Sequence, residues 1–239
     1  MKSQLLVSCR GLYKRYRSSE WVFEDAWVDV KQGDFLFLLG ASGSGKTTFI
    51  QIVAGELPYD RGVVEVNGKD IKSYGSSGLY RWKRKIGIVF QDFRLLGDNT
   101  VFENIALPLI LMGYSRPDIE RRVNAAVRLL KLQGKEDVLC KTLSGGEQQR
   151  VAIARAIVHS PGMILADEPT GNLDDLHTSI IFDILKSLHS RGITVVIATH
   201  DKRLPLLISN ARVIMIKKRR FVEVVPVLRK DMSGLASSE

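Results

Sequence analysis

Cysteine is scarce: Cys9 and Cys140 are the only two in 239 residues, and they stand far apart. They form no C-x-x-C pair, which excludes a disulfide framework and a clustered zinc site. Reduced, inert thiols in a cytosolic protein fit best. Long apolar runs are missing too. The longest, Ile105–Met112, is broken by Pro108 and falls far short of the ~20 residues that span a bilayer. No secretory leader is expected, because Met1–Gly11 is short and mixed and is followed at once by Lys14, Arg15 and Arg17. The chain has no internal repeat and no low-complexity tract. Acidic residues are outnumbered, 26 against 35 basic ones, leaving 35 − 26 = +9. Such a surface suits anionic partners: nucleotides, nucleic acid or the anionic face of a membrane. Charge alone describes a merely solvated surface equally well.

What is present is an ordinary globular balance, 45% hydrophobic and 26% charged, which excludes disorder or a fibre as the global state. Leu5–Cys9 and Ala26–Val30 alternate as half-buried strands do. Phe35–Leu39 is continuously apolar, as in a strand covered on both faces. Ile86–Phe90, Met163–Ala166, Thr194–Ala198 and Val213–Ile216 repeat that pattern, with helical stretches near Gly45–Ala54, Glu147–Val158 and Leu176–His189 between them. Alternation of this kind predicts an α/β domain with a mainly parallel sheet. From Phe93 to about Leu143 the pattern changes. Ile119, Val123, Val127 and Leu130 are spaced as on a helix within 118–132, and no strand follows. A helical insertion is expected there. Residues 229–239, small and polar, are expected to fray.

Three motifs carry chemistry. Gly40-Ala-Ser42-Gly43-Ser44-Gly45-Lys46-Thr47 is a full G-x-x-x-x-G-K-[ST] loop, followed by Thr48. Chance yields it about one time in a hundred in a chain this long, and here it sits between a buried strand and a helix. Its glycines let backbone N–H groups close around phosphate oxygens. Lys46 is placed for the β- and γ-phosphates, and Thr47 for Mg²⁺. Second, Met163–Ala166 ends in Asp167 and Glu168, two carboxylates at the carboxyl edge of a parallel sheet. Asp167 is a candidate Mg²⁺ ligand and Glu168 a candidate general base for water. Third, Leu143-Ser144-Gly145-Gly146-Glu147-Gln148 precedes a helix and offers a hydroxyl and free N–H groups to an anion. Ser144 with Glu147 also reads as a capping box, and both readings hold together.

With L-S-G-G-x-Q on the page, the chain resembles the ABC ATPase family over roughly Leu5–Val225. The resemblance implies a P-loop NTPase: a RecA-like core, antiparallel N-terminal strands and an inserted helical subdomain. It places one ATP-binding domain at 1–228, with core segments 1–92 and 151–228 and the insertion at 93–150. It implies ATP and Mg²⁺ as ligands. It assigns Tyr16, preferred over Tyr13, to stacking on adenine, Gln91 to Mg²⁺ and water, and His200 to the γ-phosphate. Asp174, in Asn172-Leu-Asp174, falls in the loop that communicates across a dimer. Ser144, Gly145 and Gly146 of one copy would bind the γ-phosphate held by a second, so a head-to-tail homodimer is implied.

Asp92-Phe93-Arg94-Leu95-Leu96 makes the chain look like the FtsE branch, and Ala166–Asp174 is shared with lipoprotein-release and macrolide-export ATPases. The FtsE resemblance implies a cytoplasmic ATPase held at the inner face of the plasma membrane by a polytopic FtsX-like partner. Phe93, Leu95, Leu96 and Val101 are candidate partner-groove residues or ordinary core. Gly97 and Asp175-Leu176 depart from the branch pattern, and Lys217–Arg220 is unusually basic for it. A nucleic-acid machine is the remaining class, favoured by the net charge and by Arg81-Trp-Lys-Arg-Lys85. It lacks the long coiled-coil insertion or duplicated cassette such proteins carry, so no nucleic-acid partner is expected.

Overall fold

A computed structural model describes residues 4–17, 20–171 and 175–224. Two sheets organise it. The first is antiparallel and holds β1 (Leu5–Arg15), β2 (Trp21–Lys31), β4 (Arg61–Val66) and β5 (Lys69–Asp70), in the order β2-β1-β4-β5. The second runs β10-β9-β3-β8-β7-β6, built from β3 (Phe35–Leu39), β6 (Ile86–Val89), β7 (Met163–Asp167), β8 (Thr194–Thr199), β9 (Arg212–Lys217) and β10 (Arg220–Val224). Its strands are parallel except for the β9–β10 hairpin.

The continuous apolar strands are explained by what covers them. In β3, Phe35, Phe37 and Leu39 enter a core shared with helices, while Leu36 and Leu38 enter a second core shared with the antiparallel sheet. β7 and β8 divide the same way: Ile164, Ala166, Val195 and Ile197 face one core, and Met163, Leu165, Val196 and Ala198 the other. The second core also takes Phe49, Ile50 and Ile52 of α1 (Lys46–Val53). The first takes α3 (Val101–Leu111), α4 (Arg116–Leu129), α5 (Gly145–Ile157) and α6 (Asp175–Ser190), with Phe182 stacked on Phe37 at 6.1 Å. Each large apolar side chain so buried contributes about 1.5–3 kcal/mol.

The apolar run broken by Pro108 is nonetheless helical. α3 starts at a Thr100–Glu103 capping box and passes through the proline, with Met112 N donating to Pro108 O at 3.0 Å. Three elements carry no clear period in the sequence: the β4–β5 hairpin, α2 (Ser76–Lys83) and β10. The hairpin turns at Asn67 and Gly68, both with positive φ (52° and 75°), a two-residue turn that Asn-Gly favours. Helix α5 runs unbroken through position 150, so the expected insertion boundary falls inside a helix. The basic run 217–220 is in part internal. Arg219 pairs with Glu20 and Glu24, and Arg220 reaches Asp25 at 3.8 Å and Glu24 O at 3.2 Å, latching the β9–β10 hairpin to β2. The expected tail, 229–239, lies outside the described residues.

Candidate nucleotide site

β3 ends at Leu39, and the loop Gly40–Gly45 turns its chain into α1. Gly43 and Gly45 have φ of 75° and 106°, a region that L side chains avoid. At Gly45 space is also decisive: a Cβ would lie 2.6 Å from Val22 Cγ1 and 2.9 Å from Phe23 Cζ, both on β2. No side chain caps α1 and its first turn holds no acid, so the helix-start N–H groups keep their capacity for an anion.

Lys46 folds back over this loop. Its Nζ donates to Gly40 O at 3.0 Å and Ala41 O at 3.2 Å and sits 3.4 Å from Glu168 Oε1. The side chain is only 7% exposed, so the ammonium is satisfied by carbonyls and one carboxylate. Glu168 takes a left-handed backbone (φ 46°) just past β7, and its N–H bonds Ala198 O of β8 at 2.8 Å. Two β8-end groups hold its carboxylate: Thr199 Oγ1 donates to Oε2 and His200 Nδ1 to Oε1, each at 3.0 Å.

Asp167 is buried at the end of β7. Burial pushes its carboxyl above the ordinary range, although a hydrogen bond with the Thr47 side chain opposes the shift. Its Oδ1 is buried without a hydrogen-bond partner. An orphaned carboxylate oxygen beside a threonine hydroxyl is the donor set of a hard cation.

A cavity of about 620 Å³ opens over the loop, lined by Tyr16, Ser42, Gly43, Gly45, Lys46, Thr47, Thr48, Gln91, Glu168 and His200 among others. Tyr16 is anchored there by a 3.1 Å hydrogen bond between its hydroxyl and Thr48 Oγ1. Its competitor Tyr13 packs edge-on against Trp21 instead. Gly40, Ser44 and Asp167 stand behind the lining. The Ser44 hydroxyl is buried without a partner, 2.3 Å from where a Cβ on Gly40 would sit. Val22 and Thr199 also serve the site, and the sequence reading missed both. Thr199 directly precedes His200 at a strand end, a position that signals it; Val22 gives no such signal.

Ser144, Gly145 and Gly146 are not in this cavity's lining. They start α5, where the Ser144 hydroxyl accepts from Glu147 N and the Glu147 carboxylate accepts from Ser144 N. Ser144 and Gly145 are exposed and Gly146 is buried. Lys135 pairs with Glu147 and, with the cap, holds its pKa down at about 2. Asp174 lies outside the described residues. Of the candidate groove residues, Val101 is fully buried core, Phe93 and Leu95 pack partly on that core, and Leu96 is 45% exposed.

A model of the ABC transporter family matches residues 23–171, more than half of the chain. The chain belongs to the ABC transporter family. Its curated relatives include the cell division ATP-binding protein FtsE of Streptococcus pneumoniae, 37% identical over 91% of this chain and 94% of that protein. The Escherichia coli K12 protein of the same name is 41% identical over 82% of this chain and 88% of its own. Among solved structures, a dimeric bacterial ABC transporter cassette superposes with a TM-score of 0.84 at 32% identity, covering 92% of this chain and 99% of that one. The same cassette, in a dimeric post-hydrolysis state bound to ADP and Pi, matches equally well. The α/β architecture expected of an ABC cassette, with its antiparallel N-terminal strands, is the one observed.

Proposed function

We propose that this chain binds and hydrolyses ATP as the nucleotide-binding subunit of an FtsE-like membrane complex acting in cell division. The observation that carries the reading is the meeting of Lys46 and Glu168: a phosphate-loop ammonium and a strand-end carboxylate 3.4 Å apart at one cavity. The triphosphate lies along the N–H groups of 43–47 and draws Lys46 from Glu168 to its β- and γ-oxygens. Tyr16 stacks on the base. Released from Lys46, Glu168 accepts a proton from water while the water oxygen bonds to the γ-phosphorus and the bridge to ADP breaks. His200, already on Glu168, steadies that carboxylate and faces the γ-phosphate; Gln91 orders the water. Thr47 and Asp167, with Gln91, would hold Mg²⁺, which supplies charge neutralisation on the phosphates.

Ser144, Gly145 and Gly146 act on the nucleotide of a second copy. The exposure of Ser144 and Gly145 and the absence of all three from the lining of this chain's own cavity support that reading, as does the dimeric relative. No helix among the described residues is long and apolar enough to cross a membrane, which supports attachment through an FtsX-like polytopic subunit at the inner face. Purification of the tagged chain from its native membrane tests this. Recovery of a four-span protein with one large external loop supports it. Recovery of lipoprotein-type permeases favours release instead.

A further inference from the structure

The loop carrying Gln91 is held in an unfavourable shape by one side chain from a distant helix. Phe93 and Arg94 are consecutive non-glycine residues with positive φ, 58° and 48°, a sparsely populated backbone region that persists only where surrounding contacts hold it. Arg155, near the end of α5, donates to both of their carbonyls: Nη2 to Phe93 O and Nη1 to Arg94 O, each at 2.6 Å. Among the described residues Arg155 meets no carboxylate, so its charge is spent on this bridge. The flat guanidinium fork suits two adjacent acceptors, where an ammonium would serve one.

The same end of α5 grips the strand that leads into the loop. A Cβ on Gly87 of β6 would lie 2.2 Å from Ala156 O, so helix and strand touch backbone to backbone. His159 Nε2 donates to Ile86 O at 3.1 Å. On the far side the loop is braced by Asn104, which exchanges hydrogen bonds with the backbone of Leu96 at 2.9 and 3.0 Å. Arg94 itself packs over Phe90 and reaches Glu56, just beyond α1.

We propose that Arg155 is a positioning residue that locks the Gln91 loop to the helix bearing Ser144–Gly146, so that the two ATP sites of a head-to-tail pair respond as one. This rests on the ATPase reading above. The two ends of the link lie ten residues apart on α5, about 15 Å at 1.5 Å per residue. One end faces the partner's nucleotide and the other sets Gln91 at the chain's own. A shift of the helix start by a bound γ-phosphate therefore moves Gln91 without passing through the loop's own contacts.

The test is ATP turnover of the full chain against ATP concentration, with nucleotide affinity measured separately on dilute single chains. Wild type is expected to be cooperative. In Arg155→Met and Arg155→Lys the Hill coefficient should fall to about one and kcat about tenfold, while single-chain affinity stays within about twofold. Gly87→Ala, which pries β6 from α5, should give the same signature more weakly. It keeps the inference testable where an Arg155 variant does not fold. Cooperativity that persists in all folded variants would overturn the inference, as would a non-cooperative wild type. A wild type that binds ATP but does not hydrolyse it would instead sink the ATPase reading.

Discussion

The starts of α1 and α5 are both glycine-flanked helix N-termini, yet they are finished differently. α1 has a left-handed glycine as its cap, no side-chain acceptor and a buried lysine folded over it. α5 has a reciprocal serine–glutamate cap and stands in the open. The first leaves its donors unspent inside a walled cavity. The second satisfies its own N–H groups and waits exposed. On the proposed function, the difference teaches that one chain holds one prepared anion site and one provisional one, whose cap would be traded for an anion brought by a second copy.

Lys46→Ala should break the α1 side of that comparison hardest. ATP affinity is expected to fall at least a hundredfold, about 2.8 kcal/mol at ~1.4 kcal/mol per decade, in a calorimetric titration. Retained affinity would show that the ammonium is structural.

Gly45→Ala comes next. The new Cβ meets Val22 and Phe23 in a left-handed backbone, so a destabilisation of ~1–3 kcal/mol is expected by denaturant titration. An unchanged midpoint would mean that β2 moves aside freely.

Ser144→Ala sharpens the α5 side. Losing the cap should cost ~1 kcal/mol of stability and most turnover, yet leave ATP binding by a single chain unchanged. Weakened single-chain binding would erase the distinction between the two helix ends.

The smallest effect concerns Asp167. Burial raises its folded-state pKa, so its proton is bound more tightly in the folded chain. That stabilisation is present at low pH and lost as pH rises through the folded value. Without nucleotide or Mg²⁺, Asp167→Asn should melt above wild type at pH 8 by about 2–4 °C, ~1 kcal/mol. The gap should close toward pH 4. A variant less stable than wild type at pH 8 would contradict the orphaned-carboxylate account.

The legible parts of this molecule are those where local chemistry needs particular residue types. Phe35–Leu39 announced a doubly covered strand because both its faces meet apolar cores. The phosphate loop announced itself because φ above zero and close backbone approach demand glycine. Asn67-Gly68 carried a readable hairpin signal that the flanking mixed residues obscured. Val22 and Arg155 were illegible for a different reason. Each acts on residues distant in sequence, and neither residue type nor spacing marks which carbonyl or ring it will reach.

The central claim is that the hydrolytic site exists in two halves on two chains. Light scattering on Glu168→Gln, which should bind ATP while hydrolysing it at least a hundredfold slower, tests it most directly. The account predicts a doubling of mass on adding ATP, abolished when Ser144→Arg is added to the same chain. An ATP-loaded chain that remains a monomer, or a dimer indifferent to Ser144, would contradict it.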